Sequence, residues 1–200
     1  MAELKDSGAR REFASGAVRD IAEGKGKCDL LPLDIVGKLF RHYTMYNPDP
    51  DIDQNFDYAV ETILNNIDDF IRNGQSSEPI YDVICTFIKI SDFKSLPDAM
   101  MEVSKHYEDG ARKYAERNWE KGISCHCYVD SGVRHLLKWL DGWTDEPHDR
   151  AFLWNMLGLL WTVKHRPECN DLPYVLSQKE ASEAEDKEWG TVEERLGSLK

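Results

Sequence analysis

The stretch from residue 151 to 163 constrains this chain most. Ala151, Phe152, Leu153, Trp154, Met156, Leu157, Leu159, Leu160, Trp161 and Val163 leave it almost without a polar side. A helix that is apolar all round has to be wrapped by other elements, so it belongs at the centre of a bundle. No apolar run reaches the roughly 18 residues that would suggest a membrane span.

Several segments carry the pattern needed to wrap it. Between residues 52 and 72, Phe56, Val60, Ile63, Leu64, Ile67 and Ile71 recur at helical spacing, and Gly74 lies just past the end. Ile35, Val36, Leu39 and Phe40 stripe a helix over 32–43, with Pro32 suited to its first turn. Residues 80–90 mix β-branched residues with a helical period and read as helix by context. Leu96-Pro97-Asp98 opens a helix with Met100, Val103, Tyr107, Ala111 and Tyr114 on its apolar side, and Gly110 within it suggests a close contact or a kink. A further helix over 128–141 buries Val133, Leu136, Leu137 and Leu140, and Pro147 starts the last one. Residues 7–23 also suit a helix, from Phe13, Ala17 and Ile21 spaced by four. The expectation is one all-α domain over 1–176, with 44–95 as a helical insertion or cover, a stiff acidic loop at 47–51, and 177–200 as a mobile acidic tail.

Charge narrows the function. The net charge of −12 argues against general nucleic-acid binding, which rests on Lys and Arg neutralising phosphates. The first forty residues are locally basic, however, and Gly24-Lys25-Gly26-Lys27 is a turn whose backbone can approach an anion between two ammonium groups. It lacks the spacing of a Walker loop. The polar N-terminal residues contain no signal-like apolar core, which predicts a cytosolic protein with its five cysteines reduced. Cys125-His126-Cys127 would need further ligands for zinc, Cys169 being the candidate nearby; packed or exposed thiols are the simpler expectation.

The unusual polarity lies between residues 99 and 163. Carboxylates, imidazoles and guanidinium groups on packing helices are costly unless they meet one another, a metal or a charged ligand. Glu108 and Arg112 stand one turn apart, as do Asp130 and Arg134, with His135 beside them. His148 and Asn155 share a face of the final helix, where a buried Asn155 would look to Asp130 or Arg134 for partners.

Four blocks together resemble the phage dATP/dGTP diphosphohydrolase N-terminal domain family. They are Ser15-Gly16-Ala17-Val18-Arg19-Asp20 with Gly24-Lys25-Gly26 and Asp29-Leu30-Leu31-Pro32; His106-Tyr107-Glu108-Asp109-Gly110-Ala111-Arg112-Lys113-Tyr114 with Arg117-Asn118-Trp119-Glu120-Lys121-Gly122; Asp130-Ser131 with Arg134-His135; and Asp145-Glu146 with His148. The resemblance implies a phage or prophage protein, host-cytoplasmic, with an α-helical fold akin to MazG-type pyrophosphohydrolases. It also implies cleavage of a dNTP to dNMP and pyrophosphate with magnesium, or manganese, held by carboxylates, and the possibility of a homo-oligomer. MazG-type enzymes carry a Glu-x-x-Glu helix and then a Glu-x-x-Asp helix. Here Glu146-Pro147-His148-Asp149 stands in the second place, and Glu102, Glu108 and Asp109 only loosely fill the first.

On that reading Glu108, Asp145, Glu146 and Asp149 would hold the metal, with the acids near 108 and 146 facing each other across a gap. Glu108, His135 and His148 would handle protons, with His106 as a further candidate. Arg19, Lys25, Lys27, Lys113, Arg117 and Arg134 would offset phosphate charge, Asn118 and Asn155 would contact substrate, and Trp119 could stack on a base. Three other readings compete. One is an HD-type triphosphohydrolase built on His135 and the His148-Asp149 pair. Another is a nucleotide-binding sink or sensor without turnover. The last is a scaffold whose polar residues only pair with each other.

Overall fold

The computed structural model describes residues 10–21, 23–46, 55–74 and 76–189, with no side-chain description for 181 and 183–189. Its described residues form a helical bundle with one small hairpin. The hairpin pairs β1 (Arg10–Glu12) with β2 (Val18–Asp20) antiparallel, Arg11 opposite Arg19. The seven helices are α1 (Leu33–Met45), α2 (Phe56–Asn73), α3 (Glu78–Ile90), α4 (Leu96–Lys113), α5 (Cys125–Leu140), α6 (His148–His165) and α7 (Pro173–Trp189).

The fold is organised around α6, which packs against α1, α3, α4 and α5. Phe152, Leu153, Met156, Leu157, Leu159 and Leu160 of α6 are all at or near zero exposure. Each such side chain contributes about 2 kcal/mol by leaving water. Its closest neighbour is α5. A Cβ at Gly158 would stand 2.4 Å from the Tyr128 ring, so the absent side chain is what lets Tyr128 seat against the α6 backbone.

Local signals explain most boundaries. Asn55 caps α2 by accepting the Tyr58 N–H, and Gly74 closes it in the left-handed region. Ser95 caps α4 through the Asp98 N–H. Helix α3, ambiguous in sequence, is almost wholly buried, with Ile80, Val83, Ile84, Cys85 and Phe87 at zero exposure. Among the described residues no helix is long and apolar enough to cross a membrane.

Four expectations change. Residues 10–20 form a hairpin and not a helix: Gly16 turns the chain at φ +80°, Phe13 N–H donates to Ala17 O, and Phe13 and Ile21 are left 40% or more exposed, so their spacing marks no core face. The Asn155 amide donates to Ala151 O of its own helix, while Asp130 and Arg134 pair with each other in the open. A Cβ at Gly110 would meet nothing within 4 Å among the described residues, so none of them packs closely enough to require that glycine. Residues 177–189, read as the start of a mobile tail, continue helix α7; residues 190–200 and the acidic loop at 47–51 lie outside the described residues. All five cysteines are free; Cys125 is buried and Cys127 exposed, with His126 tied to Asp171.

Candidate functional site

Two glycines and one carboxylate form the first polar assembly. Glu108 Oε1 accepts the Gly24 N–H at 3.0 Å, and Oε2 accepts the Gly26 N–H at 2.9 Å. Arg112 adds a contact at 2.5 Å to Oε1. The Gly24 and Gly26 amides, with Arg112 beside them, hold the buried Glu108 carboxyl below the usual carboxylate range against the cost of burial. Lys27 N–H donates to Ser104 O, which fixes the turn on α4. The glycine turn does cradle an anion, and that anion is the protein's own Glu108.

The consequence for the expected metal set is direct. Glu108 does not face Glu146: it borders a small hollow with Arg11, Ile21, Glu23, Lys27 and Arg112, whereas Glu146 lines a different and larger cavity. Helical geometry explains the separation, since two residues along a helix turn the side chain by about 200°. Glu108 therefore points away from His106, while His106, Asp109 and Lys113 share the other face.

That cavity, of about 560 Å³, lies between α4, α5, the start of α6 and the segment joining α4 to α5. Its wall includes Lys113, Arg117, Asn118 and Trp119 from the expected substrate set, and His135, Glu146 and Asn155. Arg117 is held by its φ of +54°, by donation to Asp29 O at 2.6 Å and by Glu120 at 2.5 Å. Trp119 is buried edge-on against Tyr107 and Trp161, and among the described residues neither its Nε1–H nor the Tyr107 hydroxyl has a hydrogen-bond partner. Trp154, which sequence patterning hides among the apolar residues of α6, also faces this space.

Arg19, Lys25, Lys27 and Arg134 are not wall residues. Arg19 is exposed on β2, Lys25 stands 4.0 Å from Asp20, Lys27 pairs with Glu116, and Arg134 pairs with Asp130.

Beside the cavity sits the second polar assembly. His135 Nδ1 and His148 Nδ1 are 2.9 Å apart, and Glu146 Oε1 lies 3.6 Å from the first and 3.7 Å from the second. His148 is 2% exposed, and its Nε2 contacts Asp145 Oδ1 at 2.7 Å. The other Asp145 oxygen accepts from Lys138 at 2.9 Å. Lys138 and then His148 hold the Asp145 carboxyl down at about 2. Burial lowers His135, and burial likewise lowers His106 across the cavity wall.

Magnesium prefers an all-oxygen shell. Of the four acids expected to bind it, Glu108 is engaged by the glycine turn, Asp145 by His148 and Lys138, and Asp149 accepts the Arg150 N–H. Only Glu146 reaches the cluster, in company with two imidazoles. The residues gathered here do not fit magnesium.

These features define an all-α protein with a histidine–carboxylate cluster, anchored on the buried His148, beside a cavity that carries Lys113 and Arg117. Residues 76–172 match the family described as dATP/dGTP diphosphohydrolase, N-terminal. The segment holds α3 to α6 and nearly the whole cavity wall, and leaves out the hairpin and the glycine turn. No curated protein and no solved structure gives a significant match.

Proposed function

We propose that this chain hydrolyses a deoxynucleoside triphosphate of the dATP/dGTP type to the monophosphate and pyrophosphate, in the cavity between α4, α5 and α6. The family's name supports nucleotide hydrolysis. The observation that carries the reading is the meeting, around one cavity, of Lys113 and Arg117 with His135 and Glu146.

Lys113 and Arg117 would neutralise phosphate oxygens, Lys113 as a mobile point charge and Arg117 as a fixed fork. Trp119 and Trp154 give aromatic wall for the base. A water beside the His135–Glu146 pair would attack the α-phosphorus, and the Glu146 oxygen not turned toward the histidines would take its proton. Glu146 suits this because its side chain is 44% exposed, while His148 is buried and His135 half-buried.

The test is to incubate the purified chain with each dNTP, with Mg²⁺, Mn²⁺ or Zn²⁺ in turn, and to identify the products. Pyrophosphate from dATP or dGTP, lost in Glu146→Gln, is the expected result; no product from any dNTP with any of the three ions counts against it. A second reading, triphosphohydrolysis, draws on the direct contact between His135 and His148. Inorganic triphosphate as product would select it. Tight nucleotide binding with no turnover would select a sequestering role.

A further inference from the structure

We infer that His135, Glu146 and His148 form a binding site for one divalent transition-metal ion of the Mn²⁺ to Zn²⁺ series. The three facing atoms make a triangle with sides of 2.9, 3.6 and 3.7 Å. A point equidistant from its corners lies about 2.0 Å from each, the length of a bond from zinc to an imidazole nitrogen or carboxylate oxygen. Three side chains meeting at that spacing offer three donor atoms to one ion. Without one, the two Nδ1 atoms can share only a single proton.

The surroundings supply the rest of a metal site. A ligating histidine usually donates its other ring N–H to a carboxylate, which fixes the tautomer and turns the free nitrogen toward the ion. Asp145 holds His148 Nε2 in that way, and Lys138 holds Asp145. With Nε2 protonated, His148 Nδ1 presents a lone pair to the triangle. Two imidazoles and one carboxylate select a borderline-soft ion over magnesium or calcium, which prefer oxygen. Three protein ligands also leave coordination positions open, as catalytic sites require and closed structural sites do not. The cavity lies on the open side, where His135 and Glu146 are both wall residues.

The site is independent of the hydrolase reading, because it is tested without nucleotide. Titrate metal-free full-length protein with Co²⁺ and with Zn²⁺ by calorimetry, recording the visible absorption of the cobalt form. One ion per chain is expected, with cobalt d–d bands and no sulfur-to-cobalt charge-transfer band, and millimolar Mg²⁺ should not displace it. His135→Ala and Glu146→Gln should each weaken binding more than tenfold, and Asp145→Asn about tenfold to a hundredfold. Cys127→Ser should leave it unchanged, which separates this site from the exposed thiol. Thermal unfolding of each metal-free variant shows whether it is folded, and Glu146→Gln, at a half-exposed position, keeps the test open if His135→Ala is not. Failure of the wild type to bind Co²⁺ or Zn²⁺, equal binding by Glu146→Gln, or displacement by Mg²⁺ at matching concentration would overturn the assignment. Metal binding without hydrolysis would leave this site standing and remove the proposed activity; hydrolysis without binding would do the reverse.

Discussion

Glu108 Oε2 accepts the Gly26 N–H at 2.9 Å, and this contact joins the N-terminal turn to helix α4. The same carboxylate takes the Gly24 N–H, so one side chain satisfies two loop amides. The loop, the hairpin behind it and α4 are thereby coupled through a buried charge with its partners in place.

Replacing that acid should destabilise the fold. Glu108→Gln sets an amide donor against one of two donor N–H groups, at a cost of about 2 kcal/mol. Because the folded carboxyl is held below its unfolded value, its contribution is present above the ordinary glutamate range and is lost as pH falls through the folded value. Thermal midpoints of wild type and Glu108→Gln, measured from pH 7 down to pH 3, should therefore differ most near neutrality and converge in acid. Hydrolysis per folded molecule should change little, since Glu108 is not a wall residue of the large cavity.

The two turn glycines should respond unequally to alanine. A Cβ at Gly26 would come within 2.0 Å of Ser104 Oγ and 3.1 Å of the Lys105 backbone nitrogen, at φ +88°. At Gly24 the same atom meets none of the described residues within 4 Å, and the left-handed φ of +74° is what resists it. Gly24→Ala should cost about 1 kcal/mol from the backbone alone, and Gly26→Ala clearly more. Urea unfolding of the two variants decides the order.

Helix α4 carries a glycine that its packing does not use. Gly110→Ala should raise stability by up to about 1 kcal/mol, because none of the described residues stands near the added methyl and the helix gains propensity. The check is a denaturant midpoint that shifts upward. A fall would mean the helix bends there in solution.

Lys113 and Arg117 should separate in their effects. Lys113 lies over the Tyr114 ring at 5.0 Å on an exposed face, so Lys113→Ala should lower kcat/KM for dNTP by about tenfold or more while leaving the melting temperature unchanged. Arg117 also ties the α4–α5 segment to Asp29 O, so Arg117→Ala should lower both activity and stability. Steady-state kinetics beside thermal melts on the same preparations measures the split.

Much of the bundle was legible before any coordinates. The stripe through Ile63 and Ile67 and the capping Asn55 and Gly74 mark α2, and the apolar run through α6 puts that helix at the centre, because burial on every side is its only stable environment. Lys113, Arg117, Asn118, Trp119, His135, Glu146 and Asn155 were each legible as site candidates, being polar or amphipathic residues concentrated in segments that also have to pack. The hairpin at 10–20 was not. Its strands are three residues long and solvent-exposed, and a spacing of four among Phe13, Ala17 and Ile21 imitates a helix when no core tests it. Glu108 could have been assigned to the other side of α4 from its spacing to His106, but not to Gly24 and Gly26, which lie more than eighty residues earlier.

From the chain alone came the helical class, the central segment and the set of residue types available for chemistry, because periodicity and burial cost are local properties of the string. Tertiary packing alone decided which of those residues meet. It turned Glu108 toward a backbone turn and brought His135, Glu146 and His148 together at bonding distance from one point, since the direction of a side chain depends on how its helix is rotated and seated against others.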